Sequence, residues 1–450
     1  MIDHMAYPQF TTVEIHHAGQ WHAAGDLRVV DHGHGDFTYR DDYVFGPLQL
    51  PVSLKLPVGI APAPLVEGPL GPQRDLRLPA FLYDMVPQGR GRRFLLDTLG
   101  LADADGLEAA LLLRGAFSPI GALRIASAVT FYEEEARKAG PAQASMAQGF
   151  ELADMSARSE AFVEHLALHS MLASGTTGVQ GVAPKFLLAT DAQGRWFADM
   201  ALPDLQAREH WLAKLPRGRT RDDLAVHRNE AAYLRLAHAC GIRTNEPPQM
   251  VGHMLLVRRF DRVVRHGLLH RLHQESAASL CGLRGFGLPV RQQDLVVAIR
   301  SVVDDPERET LEFLRRDVLN LAMRNPDNHA RNTAVQRTAD GLVQLTPVFD
   351  FSPMFLDPEL VARSCHWQSA AGQRLPDWQA VVDDLPVDDA ERERIAAALV
   401  AFAPVVERLP QLAMDAGVDG EVIEQCRKSI DRQAQQLWAL ASRGEAHRHG

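Results

Sequence analysis

Arg324-Asn325-Pro326-Asp327-Asn328-His329-Ala330-Arg331-Asn332, followed by Leu345-Thr346-Pro347-Val348-Phe349-Asp350, is the stretch on which the reading of this chain turns. It comes after an apolar helical run, Val318 to Met323, and is dense in polar groups. Asp327 and Asn332 are five residues apart, and eighteen residues after Asn332 an apolar, strand-like run delivers Asp350. Kinase-type phosphoryl transfer asks for this set. One Asp accepts the proton of a substrate hydroxyl, an Asn five residues on holds Mg²⁺, and a second Asp further on bridges the metal to the phosphates. Hard oxygen donors suit Mg²⁺, which usually takes one or two protein groups and completes its shell with phosphate and water. Taken alone, Asn325-Pro326-Asp327-Asn328 also reads as a plain turn, with Asn332 as a cap.

Upstream, Ser174-Gly175-Thr176-Thr177-Gly178-Val179-Gln180-Gly181 runs through Val182-Ala183-Pro184 into Lys185. Glycines let backbone N–H groups approach phosphate oxygens, although no Walker-type G-K-[ST] follows and a flexible turn has the same composition. The chain holds only five lysines against 42 arginines, a bias that a GC-rich genome would produce. Two of the five, Lys185 and Lys214, fall in strand-like runs. A strand lysine aimed at the nucleotide phosphates is the other fixed part of a kinase site. Val257-Arg258-Arg259-Phe260-Asp261-Arg262 reads as a strand entering a charged turn, the kind of connector that offers backbone groups to adenine.

The remainder sets bounds. The 450 residues allow two to four domains or lobes, and 46% apolar with 23% charged residues is ordinary globular usage. A net charge of −10 argues against coating of nucleic acid without sequence preference. No apolar run is long enough for a membrane helix, and the first twenty residues lack the cationic start and apolar core of a signal peptide. Cys240, Cys281, Cys365 and Cys426 are far apart and form no CxxC, which fits a reducing compartment. The 19 histidines show no metal-ligand spacing. Strands are expected at 12–16, 37–40, 185–189, 196–198, 211–215, 254–257 and 342–350. Loop is expected over 50–75, short helices over 78–100 and 104–113, a linker over 133–158, helices near 158–172 and 227–239, and mainly helix from 270 onward.

In this order, the motifs resemble those of HipA-family serine/threonine protein kinases, the toxin halves of bacterial type II toxin–antitoxin pairs. Asp327 to Asn332 and Leu345 to Asp350 carry the resemblance. Phe81 to Gly89, Phe117 to Leu123, Gly178 to Lys185, Leu212 to Pro216, Val257 to Arg262 and His273-Gln274-Glu275 extend it over most of the chain. The resemblance implies Asp327 as catalytic base, Asn332 and Asp350 as Mg²⁺ ligands, and Lys214 on the ATP phosphates. It implies Gln180, Gly181, Val182, Ala183, Pro184 and Lys185 as the phosphate loop, Arg258, Arg259 and Phe260 as the adenine hinge, and His329 and Arg331 lining the nucleotide site. There are departures. Arg258 stands where the family usually has Glu, Ser276 where Asp is common, and Gly178 where relatives carry a regulatory phosphoacceptor serine. That leaves Thr176 and Thr177 as autophosphorylation candidates and suggests an active enzyme with altered regulation.

The expected architecture is α+β, a two-lobed protein-kinase-like fold with a β-containing N-terminal half and a helical C-terminal lobe. Boundaries are placed at 1–145 (N-terminal subdomain), 146–265 (nucleotide-binding lobe) and 266–450 (helical catalytic lobe). The expected function is an ATP- and Mg²⁺-dependent serine/threonine kinase that arrests growth by phosphorylating a translation component such as an aminoacyl-tRNA synthetase. Its partner would be a helix-turn-helix antitoxin, with DNA contacted only through that antitoxin, no membrane association and a cytoplasmic location. The rival readings are a non-catalytic regulatory module on a kinase fold and a small-molecule phosphotransferase.

Overall fold

The computed structural model describes residues 9–60, 65–68, 71–74, 76–138, 149–157, 185–218 and 220–446. The chain divides into two compact units. One is strand-rich and comprises residues up to Leu215 with Val251–Phe286 and Gln336–Gly341; the other is helical and comprises Pro216–Met250, Gly287–Val335 and Leu342 onward.

The strand-rich unit opens with β1 (Gln9–His17), β2 (Gln20–Val29) and β3 (Gly35–Tyr39), where alternating apolar residues bury one face. With β4 (Leu123–Ile125) they form an antiparallel sheet in the order β3-β2-β1-β4, with a bulge between Val13 and Glu14. Val13, Ile15, Leu27 and Val29 share one core cluster with Leu111 and Leu112 of α1 (Glu108–Gly115), both fully buried. Phe117 stacks on Tyr132 of α2 (Ala126–Lys138), their ring centroids 4.6 Å apart. α2 occupies the first part of the expected linker. Its apolar Ala128 and Tyr132 bury a face that the Glu133-Glu134-Glu135 run conceals in composition. A short hairpin, Leu65–Gly68 with Gly71–Arg74, lies in the expected 50–75 loop.

A second antiparallel sheet contains β5 (Lys185–Thr190), β6 (Trp196–Ala198), β7 (Glu209–Lys214) and β8 (Met254–Arg258), ordered β8-β7-β5-β6. Trp196 and Trp211 meet at 5.7 Å in its core with Leu188, Ala213 and Leu256. A hairpin, Arg262–Arg265 with Leu268–Arg271, comes next and runs to the point where helix was expected to begin. Its turn residues His266 and Gly267 both have positive φ, 52° and 77°, which matches the strand twist of a two-residue hairpin.

In the helical unit, α3 (Arg221–Ala239) starts at a reciprocal cap between Thr220 and Asp223. α4 (Pro306–Ala322) starts at Asp305, with Pro306 in its first turn, where a missing N–H costs nothing. The Tyr233 hydroxyl of α3 donates to the Met323 carbonyl at 2.9 Å, and Arg235 Nε donates to Ala416 O at 2.9 Å. These bonds tie α3 to the helical unit, so residues 216–250 depart from the expected lobe boundary at 265. The long helix α5 (Gly420–Ala446) packs along α4. Among the described residues, no single helix is long and apolar enough to cross a membrane.

Candidate functional site

α4 places two polar residues, Asp317 and Asn320, on the side that leads into the Asn325–Asn332 loop. The chain leaves the helix at Arg324, whose φ of 54° is left-handed and unusual for a side chain of this size. The conformation is held because the Arg324 guanidinium lies 4.1 Å from the Phe355 ring centroid and donates to Gln425 O at 3.2 Å. Asn325, 3% exposed, then organises the loop. Its backbone N–H donates to Asn320 O at 2.8 Å, and its side-chain amide donates to Asn320 Oδ1 at 3.0 Å and to the Asp350 carbonyl at 3.5 Å. Its own Oδ1 accepts from the Asp327 N–H at 3.3 Å. One buried amide therefore links the two acidic positions that the sequence separates by 23 residues.

Asn332 closes the loop, its Nδ2 donating to the Asp327 carbonyl at 2.8 Å. With the amide nitrogen committed, the amide oxygen is the atom left for a cation. His329 Nε2 stands 3.6 Å from Asp327 Oδ1. Arg331 is buried in the one-turn helix Ala330–Asn332. Asp327, Asn332 and Asp350 line one cavity of about 40 Å³ with Asn325, Asn328 and Asp317, room for a few water-sized groups.

The expected strand to Asp350 is shorter than the sequence suggested. It covers Val343–Leu345, after which Pro347, lacking an N–H, ends the ladder and Val348 N donates instead to Arg243 O at 2.8 Å. Asp350 has a φ of 51°, a left-handed conformation that Asp accepts more readily than most residues. Phe351 anchors the chain just beyond it, 3% exposed and 5.0 Å from the Tyr233 ring.

In the strand-rich unit, Lys214 is buried at the end of β7 and Lys185 is half-buried at the start of β5. The two are cross-strand partners in the β5–β7 register. Like charges directly opposite one another on a sheet are unfavourable on their own. Arg258 pairs with Glu209 at 2.6 Å and stands 5.1 Å from the Trp211 ring. Arg259 is not positioned by its side chain for a ligand. It is buried in an ion cluster with Asp261 at 2.8 Å and Asp199 at 3.3 Å, and its N–H donates to His210 O within the sheet. Asp261 also accepts from the Gly121 N–H at 2.9 Å, and Arg262 donates to Gly121 O at 2.8 Å and Pro119 O at 3.1 Å. Gly121 has a φ of 95°, and a Cβ there would meet Gln274 N at 3.3 Å. Despite burial, the neighbouring guanidinium of Arg259 and then that of Arg262 hold Asp261 far below the usual carboxylate range. The cluster thus fastens the Phe117–Leu123 turn to the second sheet. Phe260 is half-buried beside it. Gln180, Gly181, Val182, Ala183, Pro184, Thr176 and Thr177 lie outside the described residues, as does the helix expected at 158–172.

Asp317, Asn320, Asn328 and Gln292, which the sequence does not mark as site residues, also line the cavity. The available signal was a charged residue, Asp317, among the apolar positions of α4.

The model of the HipA-like C-terminal domain family matches residues 177–407. No curated protein matches the chain. Among solved structures, HipA from the Shewanella oneidensis MR-1 toxin–antitoxin system, determined with HipB and operator DNA, matches 96% of this chain and 97% of its own. The identity is 16% and the TM-score 0.60, a likeness of fold. The Helicobacter pylori proinflammatory kinase CtkA matches over 52% of this chain and 89% of its own at 13% identity, TM-score 0.37. The expected α+β architecture therefore stands, with the fold of HipA over nearly the whole chain. With just over half of its length matched by the family model, the chain belongs to the HipA-like C-terminal domain family.

Proposed function

We propose that this protein is an ATP- and Mg²⁺-dependent serine/threonine protein kinase that serves as the growth-arresting component of a toxin–antitoxin pair. The observation that carries the reading is Asn325, which joins Asp327 to Asp350 around a cavity that Asn332 also lines. Asp327 would accept the proton of the substrate hydroxyl as its oxygen attacks the terminal phosphorus. The donor set fits Mg²⁺, since Asn332 Oδ1 and the Asp350 carboxylate are hard oxygens and few protein ligands are needed. Bound there, the ion would supply neutralisation of phosphate charge. Lys214 and Lys185 would meet the phosphates with backbone groups of Gln180 to Pro184, and the main chain of Arg258 to Phe260 would face adenine. His329 and Arg331 would support the nucleotide side of the loop.

The substrate would be a protein of the translation machinery, an aminoacyl-tRNA synthetase being the expected class. The antitoxin would be a helix-turn-helix protein that supplies the DNA contact. The likeness to a HipA solved with HipB and operator DNA supports the antitoxin; the substrate class rests on the resemblance of the motifs alone. Autophosphorylation would fall on Thr176 or Thr177, where nearly two added negative charges would repel bound ATP.

The test is phosphotransfer from labelled ATP alongside ATP binding. Asp327→Ala is expected to lose transfer and keep binding. Asp350→Asn, which tolerates the left-handed backbone while losing the charge, is expected to lose both. Transfer at wild-type rate in both variants would overturn the assignment. Transfer to small alcohols but not to proteins would favour a small-molecule phosphotransferase, and ATP binding without turnover would favour a regulatory module.

A further inference from the structure

The cavity at Asp327 has a wall that the phosphoryl-transfer reading leaves unused. Asp317, on α4, is 3% exposed and lines it. Its carboxylate accepts from Trp367 Nε1 at 2.8 Å, from Gln292 Nε2 at 3.3 Å and from the Arg363 guanidinium. A carboxylate is retained at such depth only where donors of this number satisfy it. Arg363 carries the connection onward. Its Nε donates to the Cys365 carbonyl at 3.0 Å, and that same carbonyl accepts from Asn328 Nδ2 at 2.9 Å. Cys365 N–H returns to Asn328 Oδ1 at 3.5 Å. Asn328 is the residue after Asp327 and lines the same cavity. Gln292, also 3% exposed, holds a buried Oε1 without a hydrogen-bond partner on the same wall.

A hydrogen-bonded path thus runs from a rigid helix through Arg363 and the Cys365 backbone to the peptide unit that carries Asp327. We infer that Asp317 is a positioning residue for Asp327, acting through Arg363, Cys365 and Asn328. Reacting groups must be held to a fraction of an ångström, and a buried ion pair fixed to a helix supplies a stiffer reference than the loop itself. The inference rests on the proposed kinase activity. A purely structural role would have Asp317 do no more than seat Trp367, which packs against Phe313 and Trp378 at 6.1 and 6.2 Å.

The two roles separate in a double-mutant cycle on the full chain, reading Mg-ATP turnover by ADP release, ATP affinity by calorimetry and melting temperature. Asp317→Asn and Asn328→Ala are each expected to lower kcat about tenfold or more while leaving the KM for ATP within about twofold. Because they cut one path, the double variant is expected to be no more than about twofold slower than the slower single variant. Multiplicative losses, or a lowered melting temperature with kcat unchanged, would overturn the inference. If Asp317→Asn does not fold, Trp367→Phe, which removes one donor from Asp317 and keeps a ring in the core, takes its place in the cycle under the same criteria. A wild-type protein that fails to bind or turn over Mg-ATP would instead overturn the proposed function and the inference with it. An active wild type with a fully active Asp317→Asn variant would overturn the inference alone.

Discussion

At the scale of single residues, His16 shows how burial alone sets chemistry. It is 4% exposed on β1, edge-on to Trp21 at 5.0 Å, and neither ring nitrogen has a hydrogen-bond partner. Burial, and then the nearby Arg271 charge, lower its pKa from 6.5 to about 3. The unfolded chain takes up this proton near pH 6.5 and the folded chain resists it. Stability from His16 is therefore complete above about pH 6.5 and is lost as pH falls toward 3. His16→Phe removes the group and breaks no bond, so its stability at pH 7 is expected to be close to wild type. Between pH 7 and pH 5 the variant is expected to lose about 2 kcal/mol less than wild type, read from urea midpoints at the two pH values. Equal losses would show that His16 is already accessible to the proton. Asp327, Asn332 and Asp350 were legible as a group from residue type and spacing, and they line one cavity. Asn325 and Asp317 were not, since amide and carboxylate partners far apart in sequence give no local pattern.

At the scale of elements, the strands and helices with clear periodicity were legible, and their ends depend on a few local bonds. α3 begins where Thr220 Oγ1 accepts from the Asp223 N–H at 3.1 Å and the Asp223 carboxylate accepts from the Thr220 N–H at 3.2 Å. Thr220→Ala is expected to reduce stability by about 1 kcal/mol, measured by denaturant unfolding, with ATP affinity unchanged. A loss of ATP binding would mean that the start of α3 takes part in the site. The Arg262–Arg271 hairpin was missed because His266 fills a left-handed position usually given to Asn or Gly. Helix α2 was missed because three consecutive glutamates resemble a solvated linker, although Tyr132 on the same element is buried.

For the whole molecule, the side chains around Arg258 to Arg262 take on a structural role that the sequence did not show. The sequence offered this segment as a nucleotide connector. In the structure the side chains of Arg259, Asp261 and Arg262, none more than 6% exposed, are buried in an ion cluster that also receives Asp199 and His210. Removing one charge from such a cluster strands its partners. Arg262→Met is expected to destabilise the strand-rich unit by about 3–5 kcal/mol, seen as an earlier transition in guanidinium unfolding followed by tryptophan fluorescence. Arg221→Ala, which breaks the solvent-exposed pair with Glu421, is expected to leave the midpoint where it is. A midpoint unchanged in Arg262→Met would show that the cluster contributes no net stability.

The sequence by itself determined the α+β class and most strands of the two sheets, and it singled out Asp327, Asn332 and Asp350, which line one cavity. Each rests on local periodicity or on fixed spacing imposed by chemistry. Only the tertiary structure decided that Lys185 stands opposite Lys214, that Asn325 joins Asp327 to Asp350, that α3 belongs with the helical unit, and that Arg259 and Arg262 are structural. These facts depend on which distant groups satisfy one another when buried. A polar side chain taken from water must find partners wherever the packed core supplies them, and that supply is a property of the assembled fold.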